Sequence, residues 1–185
     1  MAKDKKLQEK TQAEIDKVLR TAGPDGVTYD LLSDMKYVEC CIDETLRKYP
    51  VVNILMRTAV KDYKVENTNL VIPKETQIFI PVLGLHRDPD IFENPLEFKP
   101  ERFLHSHHGG GKAEGSFYIP FGDGPRNCIG MRMGKLTAKI ALTLILSKFN
   151  LELTDKELMD NELEFDPAAF VLAPKKAFNI KITPR

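Results

Sequence analysis

A lone cysteine, Cys128, stands in the run Phe121-Gly122-Asp123-Gly124-Pro125-Arg126-Asn127-Cys128-Ile129-Gly130, where a glycine-rich loop turns into a helix. Backbone N–H groups and the helix dipole favour an anion at such a place, which suits a thiolate. Gly122, Gly124 and Gly130 leave room for a flat ligand to approach the backbone. Arg126 offers positive charge to a ligand's carboxylates. A thiolate metal ligand is one reading of the pattern, and a structural turn is another. A nucleophilic cysteine would want a histidine partner, which the sequence does not place. A phosphate loop is disfavoured, because the spacing is not G-x-G-x-x-G and no Gly-Lys-Ser/Thr follows.

Other polar groups invite similar readings. Glu44 and Arg47 lie three apart and, on a helical wheel, point away from the apolar stripe of their helix; as a surface pair they are worth about 0.2–0.5 kcal/mol. Cys40 and Cys41 read as small packing residues. His105, His107 and His108 resemble a metal cluster, but they adjoin Gly109-Gly110-Gly111 and read as a solvated loop. No acidic residue occurs between Gly124 and Leu151, whereas Arg126, Arg132, Lys135, Lys139 and Lys148 all do.

The elements that must hold these groups follow from periodicity. Residues 1–20 predict an amphipathic helix carrying Leu7, Ile15, Val18 and Leu19, and residues 22–26 end it with two glycines and a proline. A short helical piece follows at 29–33. Val38, Cys41, Ile42, Thr45 and Tyr49 mark a clearer helix that Pro50 closes. The period then becomes strand-like at 53–60, 69–73 and 77–82, with residues 73–76 as a hairpin connection. From 86 to 118 the chain reads as an irregular wrap. Past the cysteine loop, a long helix runs to about Lys148, with Ile129, Met133, Leu136, Ile140 and Leu144 along one side. Residues 140–146 are apolar nearly all round, which predicts burial over most of the circumference. The tail predicts strands at 151–153, 170–172 and 178–183.

With 185 residues, 42% hydrophobic and 29% charged, the composition excludes a disordered or fibrous chain. Lys+Arg and Asp+Glu both number 27, so binding to nucleic acid or a membrane surface would need a local patch. Three cysteines are no disulfide framework and point to a reducing compartment. The longest apolar stretch, 140–146, is far short of the ~20 residues a membrane span needs, and the N-terminus has no apolar signal core.

Taken together, these motifs resemble the cytochrome P-450 family of haem-thiolate monooxygenases. The cysteine loop matches at Phe121, Gly122, Gly124, Arg126, Cys128 and Gly130. Glu44-Thr45-Leu46-Arg47 matches the family's Glu-x-x-Arg pair, Pro100-Glu101-Arg102-Phe103 its Pro-Glu-Arg-Phe segment, and His86-Arg87-Asp88-Pro89 the stretch between them. The resemblance covers essentially the whole chain, and the wording of the loop and of Ile119-Pro120 is most similar to the insect microsomal detoxification branch.

The resemblance implies a mainly α fold with short β-sheets (α+β), the C-terminal haem-binding portion of the family fold with its N-terminal half absent. It implies helices over 1–50, strands over 51–82, the wrap and cysteine loop over 83–127, a long proximal helix over 128–149 and short strands over 150–185. Cys128 would be the axial ligand of haem b iron. Arg126 and Arg57 would hold the propionates, and Phe121, Gly122, Ile129 and Gly130 would line the haem. Glu44, Arg47 and Arg102 would form a structural ion-pair triad. Val52, Asn53, Ile54, Leu55, Ala169 and Phe170 would touch a small lipophilic substrate. Arg132, Lys135 and Lys139 would help dock an acidic partner, an NADPH-dependent reductase, with cytochrome b5 as a second electron donor. The location implied is the cytosolic face of the endoplasmic reticulum membrane, through an anchor this chain lacks.

Measured against the resemblance, the membrane anchor, the helices over the far face of the haem and the central helix that delivers protons to bound oxygen are missing. Residues 22–26 lack that helix's threonine and form a turn, and Met133 replaces a customary phenylalanine. The chain is thus expected to be a fragment beginning one helix after the catalytic one, with Met1 an internal methionine, inactive alone. Two other readings stay open. One is a non-catalytic fragment that binds haem or a partner. The other is a haem-thiolate isomerase or dehydratase, against which the uninterrupted cysteine loop argues mildly.

Overall fold

Asp4 starts the first helix by accepting the Leu7 N–H in its side chain at 3.0 Å, and α1 runs Lys5–Leu19. In the computed structural model, which describes residues 1–23, 26–105, 117–155, 158 and 162–185, it is followed by α2 (Tyr29–Asp34) and α3 (Lys36–Lys48). α3 has no side-chain cap of its own. Glu14 of α1 supplies one, its two carboxylate oxygens accepting the Tyr37 and Val38 N–H groups at 2.8 and 2.9 Å.

Four short strands then nest: β1 (Leu55–Thr58), β2 (Tyr63–Lys64), β3 (Val71–Ile72) and β4 (Gln77–Ile80). β2 pairs with β3, and β1 pairs antiparallel with β4 in the register Leu55↔Ile80 and Arg57↔Ile78. Residues 73–76 do form a turn, with the Thr76 N–H on the Pro73 carbonyl, but it does not join paired strands. Glu75 takes a positive φ of 68°, and its N–H turns back to the Ala59 carbonyl at 2.7 Å, steering the chain to β1.

After α4 (Val82–His86), a wrap with a short tight turn at Pro100–Phe103 lies on α3. α5 runs Met131–Leu146, and β5 (Phe149–Leu153) pairs antiparallel with β6 (Ile180–Pro184). β5 lacks a second strand neighbour among the described residues, and α1 takes that place with a side chain. The Gln8 amide accepts from the Leu151 N–H at 2.7 Å and donates to the Leu151 carbonyl at 2.8 Å.

The core forms where α1, α2, α3 and α5 meet, around Ile15, Leu32, Met35, Val38, Ile42 and Leu146. Three expectations change. α5 begins three residues later than Cys128, which lies in the loop ahead of it. Only Lys139, Thr143 and Leu146 of α5 are fully buried, while Met133, Leu144 and Ile145 are exposed, because α5 packs on α3 and α1 along one stripe alone. Residues 170–172 form no strand: a bridge between Phe165 and Pro174 closes a loop with Phe170 exposed on it.

Candidate functional site

The loop that carries Cys128 is locked by its own backbone. The Cys128 N–H donates to the Phe121 carbonyl at 2.8 Å, the Gly122 N–H to Ile119 at 3.0 Å, and the Asn127 N–H to Gly124 at 3.1 Å. Gly122 and Gly124 have φ of +77° and +72°, where a side chain would strain the backbone. The Asp123 carboxylate accepts the Gly124 N–H at 2.7 Å and starts the tight turn Gly124–Arg126. Held this way, Cys128 is exposed, whereas Cys40 and Cys41 are buried in α3. Burial pushes those two thiols up to about 11 and about 12, which keeps them protonated and inert.

Two elements back the loop. A Cβ at Gly122 would lie 3.7 Å from an Arg57 guanidinium nitrogen and 3.8 Å from Leu55, so β1 stands directly behind it. A Cβ at Gly134 would lie 4.0 Å from the Phe121 ring, and one at Gly130 would lie 3.7 Å from the Cys128 sulfur, so α5 flanks it. Ile129 is fully exposed beside the thiol, and Arg126 is exposed without an ion-pair partner among the described residues. An open thiol, two guanidinium groups, glycines and an uncovered aliphatic side chain form a donor set that fits a flat, dianionic metal macrocycle with an apolar body.

The Glu44–Arg47 pair is not on the surface: both side chains are 0% exposed. Arg47 grips Glu44 with two parallel bonds of 2.7 and 2.9 Å. It also donates to the carbonyls of His86 at 2.7 Å, Pro95 at 2.8 Å and Glu97 at 3.2 Å. Glu44 further accepts from Arg102 at 3.3 Å and from the Lys99 N–H at 2.8 Å. The wheel failed here because the wrap covers the polar face of α3 and lines it with carbonyls.

His86 joins this cluster to the loop. Its Nε2 accepts the Ile119 N–H at 2.9 Å, so the proton is assigned to Nδ1, which donates to the Arg47 carbonyl at 3.1 Å. Burial pulls its pKa down to about 4. Tyr118 stacks on the imidazole at 5.5 Å and donates to Asp43 at 2.9 Å; burial and then the Asp43 charge raise the phenol far above its usual range. Helical and strand periods carry no trace of His86's role, since it ends a five-residue helix and its partners are remote backbone.

The basic run on α5 is largely neutralised. Lys139 is buried with its ammonium 3.1 Å from Glu39, and Lys135 lies 2.8 Å from Asp43. The acids come from α3, far outside the acid-free run 124–151. Glu39 is pulled up by burial, but Lys139, Lys135 and Lys36 outweigh that and hold its carboxyl below the ordinary range. A buried, paired Lys139 is no docking residue, which leaves Arg132 exposed and Lys135 half-buried from the expected three.

Of the expected substrate contacts, Val52, Asn53 and Leu55 are half-buried and Ile54 is exposed. Ala169 is half-buried and Phe170 exposed, and the Leu172 N–H bonded to the Val51 carbonyl at 2.9 Å ties their loop to this segment. A groove of about 900 Å³ opens between the N-terminus, α3 and β5 and includes none of these residues or Cys128. His105 is described, while His107, His108 and residues 109–111 lie outside the described residues. No cluster of three metal-ligating side chains occurs among the described residues.

Residues 1–180 match the cytochrome P450 family, and the chain belongs to it. It is 43% identical over 179 residues to Cytochrome P450 6B2 of Helicoverpa armigera, which covers 97% of this chain and 34% of that protein. Against Probable cytochrome P450 6d5 of Drosophila melanogaster the identity is 40%, covering 99% of this chain and 35% of that protein. Against Cytochrome P450 6d1 of Musca domestica it is 41%, covering 97% and 34%. The chain thus spans about a third of the length of the curated relatives it matches. The family carries haem and monooxygenase chemistry, and the insect branch is the one these relatives occupy. Among the described residues, no helix is long and apolar enough to cross a membrane.

Proposed function

We propose that these residues form the thiolate side of a haem b monooxygenase that inserts one oxygen atom of O2 into small lipophilic substrates. The observation that carries this reading is the exposed Cys128 thiol, presented outward by a loop that two positive-φ glycines and the Cys128 N–H bond hold closed. Cys128 would hold the iron, and the bound haem supplies the activation of oxygen. Arg57 and Arg126 would bind the propionates, and Phe121, Gly122, Ile129 and Gly130 would line the macrocycle. Val52, Asn53, Ile54, Leu55, Ala169 and Phe170 would meet substrate.

Electrons would come from an NADPH-dependent reductase, with cytochrome b5 as a second donor, at the endoplasmic reticulum membrane. Arg132 would meet the partner, with Lys135 behind it. The 185 residues alone would not turn over, because Phe170 of the substrate-facing loop stands uncovered and the iron would face water instead of a dry cavity.

The test is an absorption spectrum of the chain loaded with haem and reduced under carbon monoxide. A strongly red-shifted Soret band, lost in Cys128→Ala, is expected. A band unchanged by that substitution would overturn the ligation, whereas no band at all would mean that these residues need the rest of the protein to hold haem.

A further inference from the structure

The three functional parts of the chain, namely the buried ion cluster, β1 with Arg57 and the cysteine loop, come from segments far apart in sequence. Something must set the height of the loop against the rest. Direct bonds from the Glu44 cluster stop at the carbonyls of His86, Pro95 and Glu97 and at Asn94, Lys99 and Arg102. None of them reaches residues 117–130, where the Tyr118 hydroxyl on Asp43 ties the segment to α3 but not to the ion cluster.

His86 spans that gap. Its side chain is wholly buried, and both ring nitrogens are used on backbone groups: Nδ1 on Arg47, inside the cluster, and Nε2 on Ile119. Its own carbonyl accepts from the Arg47 guanidinium, so side chain and main chain of His86 both close on Arg47. Ile119 in turn accepts the Gly122 N–H, and Phe121 accepts the Cys128 N–H. The bonds therefore run without a break from Glu44 through Arg47, His86 and Ile119 to the hinge of the loop.

We propose that His86 is a positioning residue that fixes the cysteine loop, and with it the Cys128 sulfur, against the buried Glu44–Arg47–Arg102 cluster. The consequence for a bound haem rests on the ligand role proposed for Cys128; the consequence for the loop does not. A neutral imidazole suits this work because it donates at one end and accepts at the other in a rigid ring. Charging it would turn Nε2 into a donor facing the Ile119 N–H. The groups that face it are Arg47 from α3, which opposes a second positive charge, and the rings of Phe92 and Tyr118; Asp43 lies beyond Tyr118 and is shared with Lys135.

The experiment uses the full chain without haem and reads two rates. One is amide hydrogen exchange at Ile119, Gly122 and Cys128, with Ile42 and Leu151 as internal references. The other is alkylation of Cys128, the exposed one of three thiols. His86→Phe keeps a ring against Tyr118 and removes both bonds. It is expected to speed exchange at the three loop amides about tenfold, the scale of one buried unpaired donor, while the references stay within about threefold. The alkylation rate of Cys128 is expected to change in step. His86→Gln, whose oxygen reaches the Nε2 position, is expected to restore both rates. Exchange at the loop within about threefold of the parent chain, or an equal rise at the references, would overturn the proposal.

Should His86→Phe fail to fold, His86→Gln against His86→Asn decides. The shorter amide does not reach Ile119, so equal rates in the two would overturn the proposal and protection in Gln alone would support it. After haem loading, the red-shifted fraction of the carbon monoxide band is expected to fall in Asn and return in Gln. A parent chain with no such band leaves the exchange result to judge His86.

Discussion

Glu44→Gln is the perturbation that most sharply separates a buried ion cluster from a surface pair. Glu44 accepts four bonds, two from Arg47, one from Arg102 and one from the Lys99 N–H, with no exposed side-chain area. A glutamine keeps the shape but replaces one oxygen with an NH2 that points at a donor. The Arg47 charge then stays buried against three carbonyls with no counter-ion. Breaking a buried pair by removing one partner costs about 3–5 kcal/mol, because the surviving charge is uncompensated. A solvated i, i+3 pair would lose about 0.2–0.5 kcal/mol.

Urea denaturation followed by far-UV circular dichroism reads the difference. With a slope near 2 kcal/mol/M, the buried case moves the midpoint down by roughly 1.5–2.5 M or removes the folded baseline. The surface case moves it by at most about 0.25 M. A shift under about 0.5 M would refute the burial argument. Arg47→Lys serves as the second arm. A lysine cannot reproduce the two-point grip on Glu44 together with three carbonyl bonds, so it is expected to lose about 2 kcal/mol or more although the charge is kept.

Two further outcomes follow from single side chains. His86 has a folded pKa of about 4 against 6.5 in the unfolded chain, so the unfolded chain binds the extra proton between those values. Its contribution is present above about pH 6.5 and is lost as pH falls toward 4, up to about 3 kcal/mol, and the difference in stability between the parent and His86→Phe should carry that slope; a pH-independent difference would refute it. Gln8→Ala strips both bonds from Leu151 on the open side of β5 and is expected to lower stability by about 2 kcal/mol, measured by the same urea midpoint. A loss below about 0.5 kcal/mol would mean that water replaces the amide freely.

The cysteine loop and α3 were legible because the information is local. The positive-φ positions call for glycine where Gly122 and Gly124 stand, and the apolar residues of α3 recur at helical spacing. What escaped was set by contacts between distant segments. Glu44 and Arg47 sit on a face that any helical wheel assigns to solvent; the wrap that buries them has no period of its own and binds through carbonyls, which every residue carries. The basic stripe of α5 reads as uncompensated until Glu39 and Asp43 of α3 are placed against it. Likewise, Leu144 and Ile145 read as core because apolar residues are counted along one helix, whereas burial depends on what lies opposite.

The charged groups thus divide by what they bind. Arg47 and Glu44 are spent on backbone and on each other, and Lys139 on Glu39, so none of the three can reach a ligand. Arg126 and Arg57 are different. Arg126 is exposed with no ion-pair partner among the described residues, and Arg57 donates to the neighbouring Met56 carbonyl at 2.9 Å. Under the proposed reading, these two guanidinium groups would hold the two carboxylates of a dianion bound at the Cys128 thiol. Exchanging either for a neutral residue should therefore weaken ligand binding more than folding, the reverse of the order expected for Arg47.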